Sequence, residues 1–118
     1  TLVDRLLRCI VRIGVAYGSD VAEVKSLLER LMRAQSDILV EPAPEVVFED
    51  FGDSALIFEA YFWVQLSDTV SARTVRSDLR MAMDAAFREA GISIAYPQRD
   101  VHLAGTLTVT PGRPLPLA

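Results

Sequence analysis

Between Leu7 and Val15 the chain alternates: Cys9, Val11, Ile13 and Val15 share one side, and Arg8, Arg12 and Gly14 the other. That period of two predicts a half-buried strand. The alternation stops at Tyr17-Gly18-Ser19-Asp20, where a turn glycine precedes a helix-capping aspartate, and Asp20 and Glu23 have the spacing of a capping box. Val21, Val24, Leu28 and Leu31 then recur at three and four residues, widened by Leu27 and Met32. This predicts an amphipathic helix ending near Gln35, because Ser36-Asp37 suit a helix interior poorly.

Pro42-Ala43-Pro44 reads as a stiff connection, since proline fixes its own φ and restricts the residue before it. A hairpin follows: Glu45 to Phe51, a turn at Gly52-Asp53-Ser54, then Ala55 to Leu66 with Leu56, Phe58, Ala60, Phe62 and Val64 on one face. The opposite face of that second strand carries Ile57, Tyr61 and Trp63 beside Glu59 and Gln65. A second helix is expected from about Ser71, with Val75, Leu79, Ala82, Met83, Ala86, Phe87 and Ala90 as its apolar stripe and Gly91 as its C-terminal stop. Ile92 to Ala95 predicts a short strand that Pro97 interrupts.

The element order is therefore β-α-β-β-α-β, an α+β ferredoxin-like sandwich with an extended exit strand and a tail. We read 1–97 as one α/β domain, 98–105 as an exit segment and 106–118, with its three prolines, as a loosely ordered tail. Both helices cover one face of such a sheet, which leaves the Ile57/Tyr61/Trp63 face for another subunit or domain.

Composition narrows the functional classes. With 118 residues, 51% of them hydrophobic and 24% charged, the chain suits one domain that folds in water. No apolar run approaches the roughly 20 residues that span a bilayer. A net charge of −4 without a basic cluster argues against nucleic acid or anionic headgroups as partners. The chain opens at Thr1 with no leader pattern and reads as a piece of a longer protein, whose targeting or membrane portion lies upstream.

Catalytic chemistry is poorly represented. The one cysteine, Cys9, falls on the inward side of its strand and reads as a core thiol, and the one histidine, His102, as a surface or interface hydrogen-bonding group. A zinc site needs three or four thiolate or imidazole ligands. Glu49, Asp50 and Asp53 lack the twelve-residue spacing of a calcium loop and read as edge and turn solvation. No glycine-rich phosphate cradle occurs. We therefore expect no enzyme, no cofactor and no metal.

One segment resists the reading of a closed domain. After Pro97 redirects the chain, Gln98-Arg99-Asp100-Val101-His102-Leu103 resumes alternation with Val101 and Leu103 on one side and Asp100 and His102 on the other. An extended piece of that length gains little alone and calls for a partner edge, either in another chain or, on the alternative reading, in its own sheet as a fourth strand.

From Thr1 to about Leu103 the chain resembles the small-conductance mechanosensitive ion channel family. The resemblance rests on an ordered set: Arg8 to Asp20, Phe48 to Phe51 with Gly52-Asp53-Ser54, Phe62-Trp63-Val64, Arg76-Ser77-Asp78-Leu79, Ala90-Gly91-Ile92 and Tyr96-Pro97-Gln98-Arg99-Asp100-Val101-His102-Leu103. It implies the carboxy-terminal cytoplasmic domain of a tension-gated inner-membrane channel, preceded by a pore-bearing membrane part and a middle β domain. Seven identical subunits would form a hollow cage with side portals, through which ions and small osmolytes pass, closed by a short barrel. On that resemblance Tyr17, Gly18 and Asp20 shape the strand-to-helix turn, and Phe51 and Trp63 are packing or interface groups. Arg76 and Asp78 pair within or across subunits, Pro97, Gln98, Asp100 and His102 set the exit, and Val101 and Leu103 pack inside the barrel. The tail after Leu103 departs from the family's shortest members. The alternative is a ferredoxin-like regulatory module binding a ligand or partner on its open face.

Overall fold

The computed structural model describes residues 5–95, and the predicted roles of Pro97, Gln98, Asp100, Val101, His102 and Leu103 lie outside that range. Within it, β1 (Arg5–Val15), α1 (Val21–Ala34), β2 (Glu45–Phe51), β3 (Leu56–Leu66) and α2 (Ala72–Ala90) follow one another in chain order. The three strands form an antiparallel sheet in the order β1-β3-β2. This is the expected α+β arrangement, with both helices on one face of the sheet and packed against each other.

The period-two pattern sets the register. Cys9 lies opposite Phe62, Val11 opposite Ala60 and Ile13 opposite Phe58 across β1 and β3, while Val46 lies opposite Ala60 across β2 and β3. Each of these pairs turns toward the helices. Val24, Leu27, Leu28 and Met32 of α1 and Val75, Leu79, Met83 and Phe87 of α2 close over them. Phe58, Phe62, Phe87, Leu28, Met32, Leu79 and Met83 are among the fully buried side chains, and Cys9 is buried with them. Burying a side chain of that size contributes about 1.5–3 kcal/mol, so this one-sided core is the main source of stability.

The helix ends follow local chemistry. The Asp20 carboxylate accepts from the backbone N–H groups of Ala22 and Glu23 at 3.0 and 3.2 Å, and Ser71 Oγ accepts from the Thr74 N–H at 3.2 Å. Only the Asp20 half of the expected capping box forms: among the described residues, Glu23 makes no return bond to the Asp20 N–H. Gly91 ends α2 at φ 74°, the left-handed conformation that a residue without Cβ adopts at little cost.

Two details differ from the sequence pattern. The segment Ile92 to Ala95, expected as a strand, contributes only a bridge between Val15 and Ile94, flanked by Ala16 N–H to Ser93 O and Ala95 N–H to Gly14 O, both 2.9 Å. A side-chain pattern cannot measure how many ladder bonds so short a piece will make. The second difference is an added contact: Ile38 bridges Val64, and the Leu39 N–H donates to the Trp63 carbonyl at 2.9 Å, so the connection after α1 touches β3 beyond the start of β2.

Candidate functional site

Helices on one side leave the other side of the sheet without a covering layer among the described residues. That face is built from the alternate positions of each strand. Register places Arg8 beside Trp63, Ile10 beside Tyr61 and Arg12 beside Glu59, with Glu45 and Val47 of β2 flanking Tyr61 and Glu59 from the other side. Leu6 and Ile10 are exposed, while Ile57, Glu59, Tyr61 and Trp63 are half-buried by their neighbours.

A polar chain crosses the middle of this face. Arg12 Nη1 donates to Glu59 Oε2 at 3.1 Å, and the Tyr61 hydroxyl donates to Glu59 Oε1 at 2.5 Å. The Arg8 guanidinium carbon lies 4.4 Å from the centroid of the Tyr61 ring, a cation–π arrangement. The hydrogen bond to Glu59 is the first cause of a raised Tyr61 pKa, followed by desolvation and by the charges of Glu59 and Glu49; Arg8 opposes them. This chain of contacts orders the side chains of a flat surface. Its one hydroxyl–carboxylate pair, Tyr61 with Glu59, holds the phenol proton more tightly than in a free tyrosine, and among the described residues no group of three acidic, histidine or cysteine side chains is placed to hold a metal.

The predicted site residues fall in three places. At the β1–α1 turn, Gly18 takes φ 95°, Asp20 caps α1, and the exposed Tyr17 donates its hydroxyl to the Gly52 carbonyl in the β2–β3 turn. At the end of β2, Phe51 is 70% exposed, its ring edge-on to Phe48 at 5.0 Å between centroids. Trp63 belongs to the uncovered face, whereas Arg76 and Asp78 sit half-buried on α2. Two residues apart on a helix, those two side chains do not face each other, and among the described residues neither enters a salt bridge. The Arg8–Tyr61–Glu59–Arg12 chain joins residues 2 to 53 positions apart, and the alternation of β1 and β3 was the signal that these side chains share a face.

Beside this surface a groove of about 470 Å³ is lined by Arg12, Ile13, Gly14, Ala55, Ile57 and Ile94 among others. It lies where β1 meets the hairpin turn and is mainly apolar.

Residues 10–94 match the family described as Mechanosensitive ion channel MscS, C-terminal. The chain is 36% identical over 91 residues to an uncharacterised MscS family protein of Synechocystis, covering 77% of this chain and 30% of that one. It is 39% identical over 104 residues to the mechanosensitive channel MscK of Escherichia coli, covering 87% of this chain and 9% of that one. Among solved structures, Helicobacter pylori MscS in its closed state superposes with a TM-score of 0.71 at 25% identity, over 86% of this chain and 39% of that one. The chain thus spans less than a third of the length of these two relatives.

Proposed function

Starting from the fact that this chain belongs to the MscS family of mechanosensitive ion channels, as its carboxy-terminal domain, we propose that it forms the wall and portal rim of a cytoplasmic cage in a tension-gated channel. Its work is assembly and the shaping of a passage for ions and small osmolytes, and the pore belongs to parts of the protein outside this domain. No helix among the described residues is long and apolar enough to cross a membrane.

The observation that supports this reading most directly is the one-sided core. All of the largest fully buried side chains lie between the sheet and its two helices, while the other sheet face presents Leu6, Ile10, Tyr61 and Trp63. A sheet face of mixed aromatic, aliphatic and paired charged groups suits contact with a neighbouring protein surface better than a small-molecule cleft. On this proposal the ring contains seven identical subunits, and the exit segment carrying Pro97, Gln98, Asp100, Val101, His102 and Leu103 closes its base with Val101 and Leu103 turned inward. Arg76 and Asp78 are then placed to find partners in an adjacent subunit. The domain has no catalytic role in this reading.

Mass measurement of the detergent-solubilised full-length protein tests the stoichiometry, and survival of a channel-deficient bacterial host after hypoosmotic shock tests the activity. We expect seven copies and protection. A monomeric full-length protein, or full protection by a protein from which residues 5–95 have been deleted, overturns the reading.

A further inference from the structure

The two edges of the sheet carry opposite charge. β1 contains Arg5, Arg8 and Arg12 and no acidic residue, whereas β2 contains Glu45, Glu49 and Asp50 and no basic one. The acidity of β2 extends through the sequence around it: from Ala34 to Ala72 there are eight acidic side chains and no basic one. Because the sheet order is β1-β3-β2, these strands lie on opposite margins. Among the described residues β1 is paired on its outer side only near Val15, by the bridge to Ile94, and no described strand lies against the outer side of Arg5 to Arg12. Among the described residues no strand but β3 pairs with β2, so its outer side has no described partner. Open edges of this kind are templates for another strand.

We propose that the β1 edge of one copy of this chain pairs with the β2 edge of the next, continuing the sheet from subunit to subunit in a head-to-tail ring. This deepens the cage reading above by naming the surfaces that meet. Spacing supports it. Arg8 and Arg12 are four residues apart, as are Glu45 and Glu49, so one register sets Arg8 against Glu45 and Arg12 against Glu49. Arg8, Arg12 and Glu45 share the uncovered face, as their pairing with Trp63, Glu59 and Tyr61 shows. A bulge between Phe48 and Asp50 leaves Glu49 as the extra residue of its strand. β1 and β2 are both antiparallel to β3 and so run in the same direction. A neighbour that keeps its helices on the same side therefore pairs in parallel. Within its own sheet Glu45 is level with Ile10, so the matched register displaces the neighbour by only two residues. The two surfaces differ, which makes the contact heterologous, the kind that generates rings rather than isolated dimers. Exposed Leu7 on the first edge and Phe51 on the second add apolar area to the charge match.

Cysteine pairs in the full-length protein test this. Within one chain Arg8 and Glu45 stand on either side of β3, separated by two strand spacings of about 4.8 Å each and offset along the strands, which is beyond disulfide reach. Native Cys9 is buried. Under mild oxidation we expect the double variant Arg8→Cys/Glu45→Cys to give a ladder of covalent multimers on a non-reducing gel, and each single variant to give none. Arg12→Cys/Glu49→Cys should behave alike, so that disturbance of either pair alone does not decide the outcome. A ring of normal mass with no ladder from either double variant overturns the edge pairing while leaving the cage reading intact. Covalent dimers from Arg8→Cys alone also overturn it, because they would require β1 to meet β1. A wild-type protein that forms no ring defeats the cage reading and this inference with it.

Discussion

The Tyr17 hydroxyl donates to the carbonyl oxygen of Gly52, a residue 35 positions further along the chain. The bond ties the β1–α1 turn to the β2–β3 turn at one end of the sheet. The Gly52 N–H in turn donates to the Ala55 carbonyl at 2.8 Å, closing the hairpin. Tyr17 is half exposed, so the net value of its bond lies in the ordinary range of about 0.5–1.5 kcal/mol. We expect Tyr17→Phe to lower the unfolding free energy of the domain by about 1 kcal/mol, with an unchanged urea m-value. A midpoint identical to wild type would mean that the bond contributes nothing to the fold.

The two helix ends give a matched pair of local tests. Asp20→Ala removes the acceptor for two N–H groups and should cost about 1 kcal/mol, while Asp20→Ser should keep most of it. Gly91→Ala meets no atom within 4 Å but forces a side chain into φ 74°, at a cost of about 1–2 kcal/mol. Thermal unfolding separates these effects from crowding: at Gly91, asparagine should be milder than alanine, because it tolerates the left-handed region. Equal losses for both would point to another cause.

Such local features were the legible part of the sequence. Asp20, Ser71 and Gly91 mark helix ends through hydrogen bonds and conformational preferences that act within four residues, and the structure uses all three. The faces of β1 and β3 were legible because burial on one side of a sheet imposes a period of two. The bridge of Ile38 to Val64, the bulge near Phe48 and the bond from Tyr17 to Gly52 were not. Each depends on where distant segments meet, and no local pattern encodes it. The reduction of Ile92 to Ala95 to one bridge has the same origin, because it depends on how much of the β1 edge the returning chain reaches. Of the candidate site, the shared face could be read from alternation, whereas the Arg8–Tyr61 stacking and the fork of Glu59 between Arg12 and Tyr61 needed the register of two strands.

One-sided burial predicts a sharp asymmetry between the faces of β3. Phe62 is fully buried beneath the helices, and its replacement by alanine should cost about 3–5 kcal/mol and leave little folded domain at 37 °C. Trp63, the next residue, turns to the uncovered face, so Trp63→Ala should lower the stability of the isolated domain by a much smaller amount. On the proposed cage reading the order of consequences changes in the full-length protein, because a residue at a subunit interface acts on assembly. Circular dichroism melts of the domain, set beside the oligomer mass of the full-length protein, check both. A domain that unfolds as readily with Trp63→Ala as with Phe62→Ala would show that the sheet buries both faces.

Tyr61 offers a titration test of the polar chain on the same surface. Its hydroxyl is held as a donor by Glu59, and ionisation would remove that proton and place two negative charges side by side. The hydrogen bond, desolvation and the charges of Glu59 and Glu49 all raise the pKa, and the Arg8 guanidinium over the ring lowers it by a smaller amount. The folded value therefore lies above the unfolded one, and the neutral phenol is the form that folding favours. The stabilisation is fully present below the unfolded tyrosine pKa and is lost as pH rises through the raised folded value, so the pair is insensitive to pH near neutrality and weakens only in alkali. Tyrosinate absorbance of the wild type minus that of Tyr61→Phe isolates this group from Tyr17 and Tyr96. In that difference Glu59→Gln should move the titration to lower pH, because it removes the charge and weakens the acceptor. Arg8→Gln should move it to higher pH, because it removes the one opposing charge. Shifts of opposite sign from two neighbours of one ring require both contacts to exist in solution, and a titration that neither substitution moves would mean that the chain does not form there.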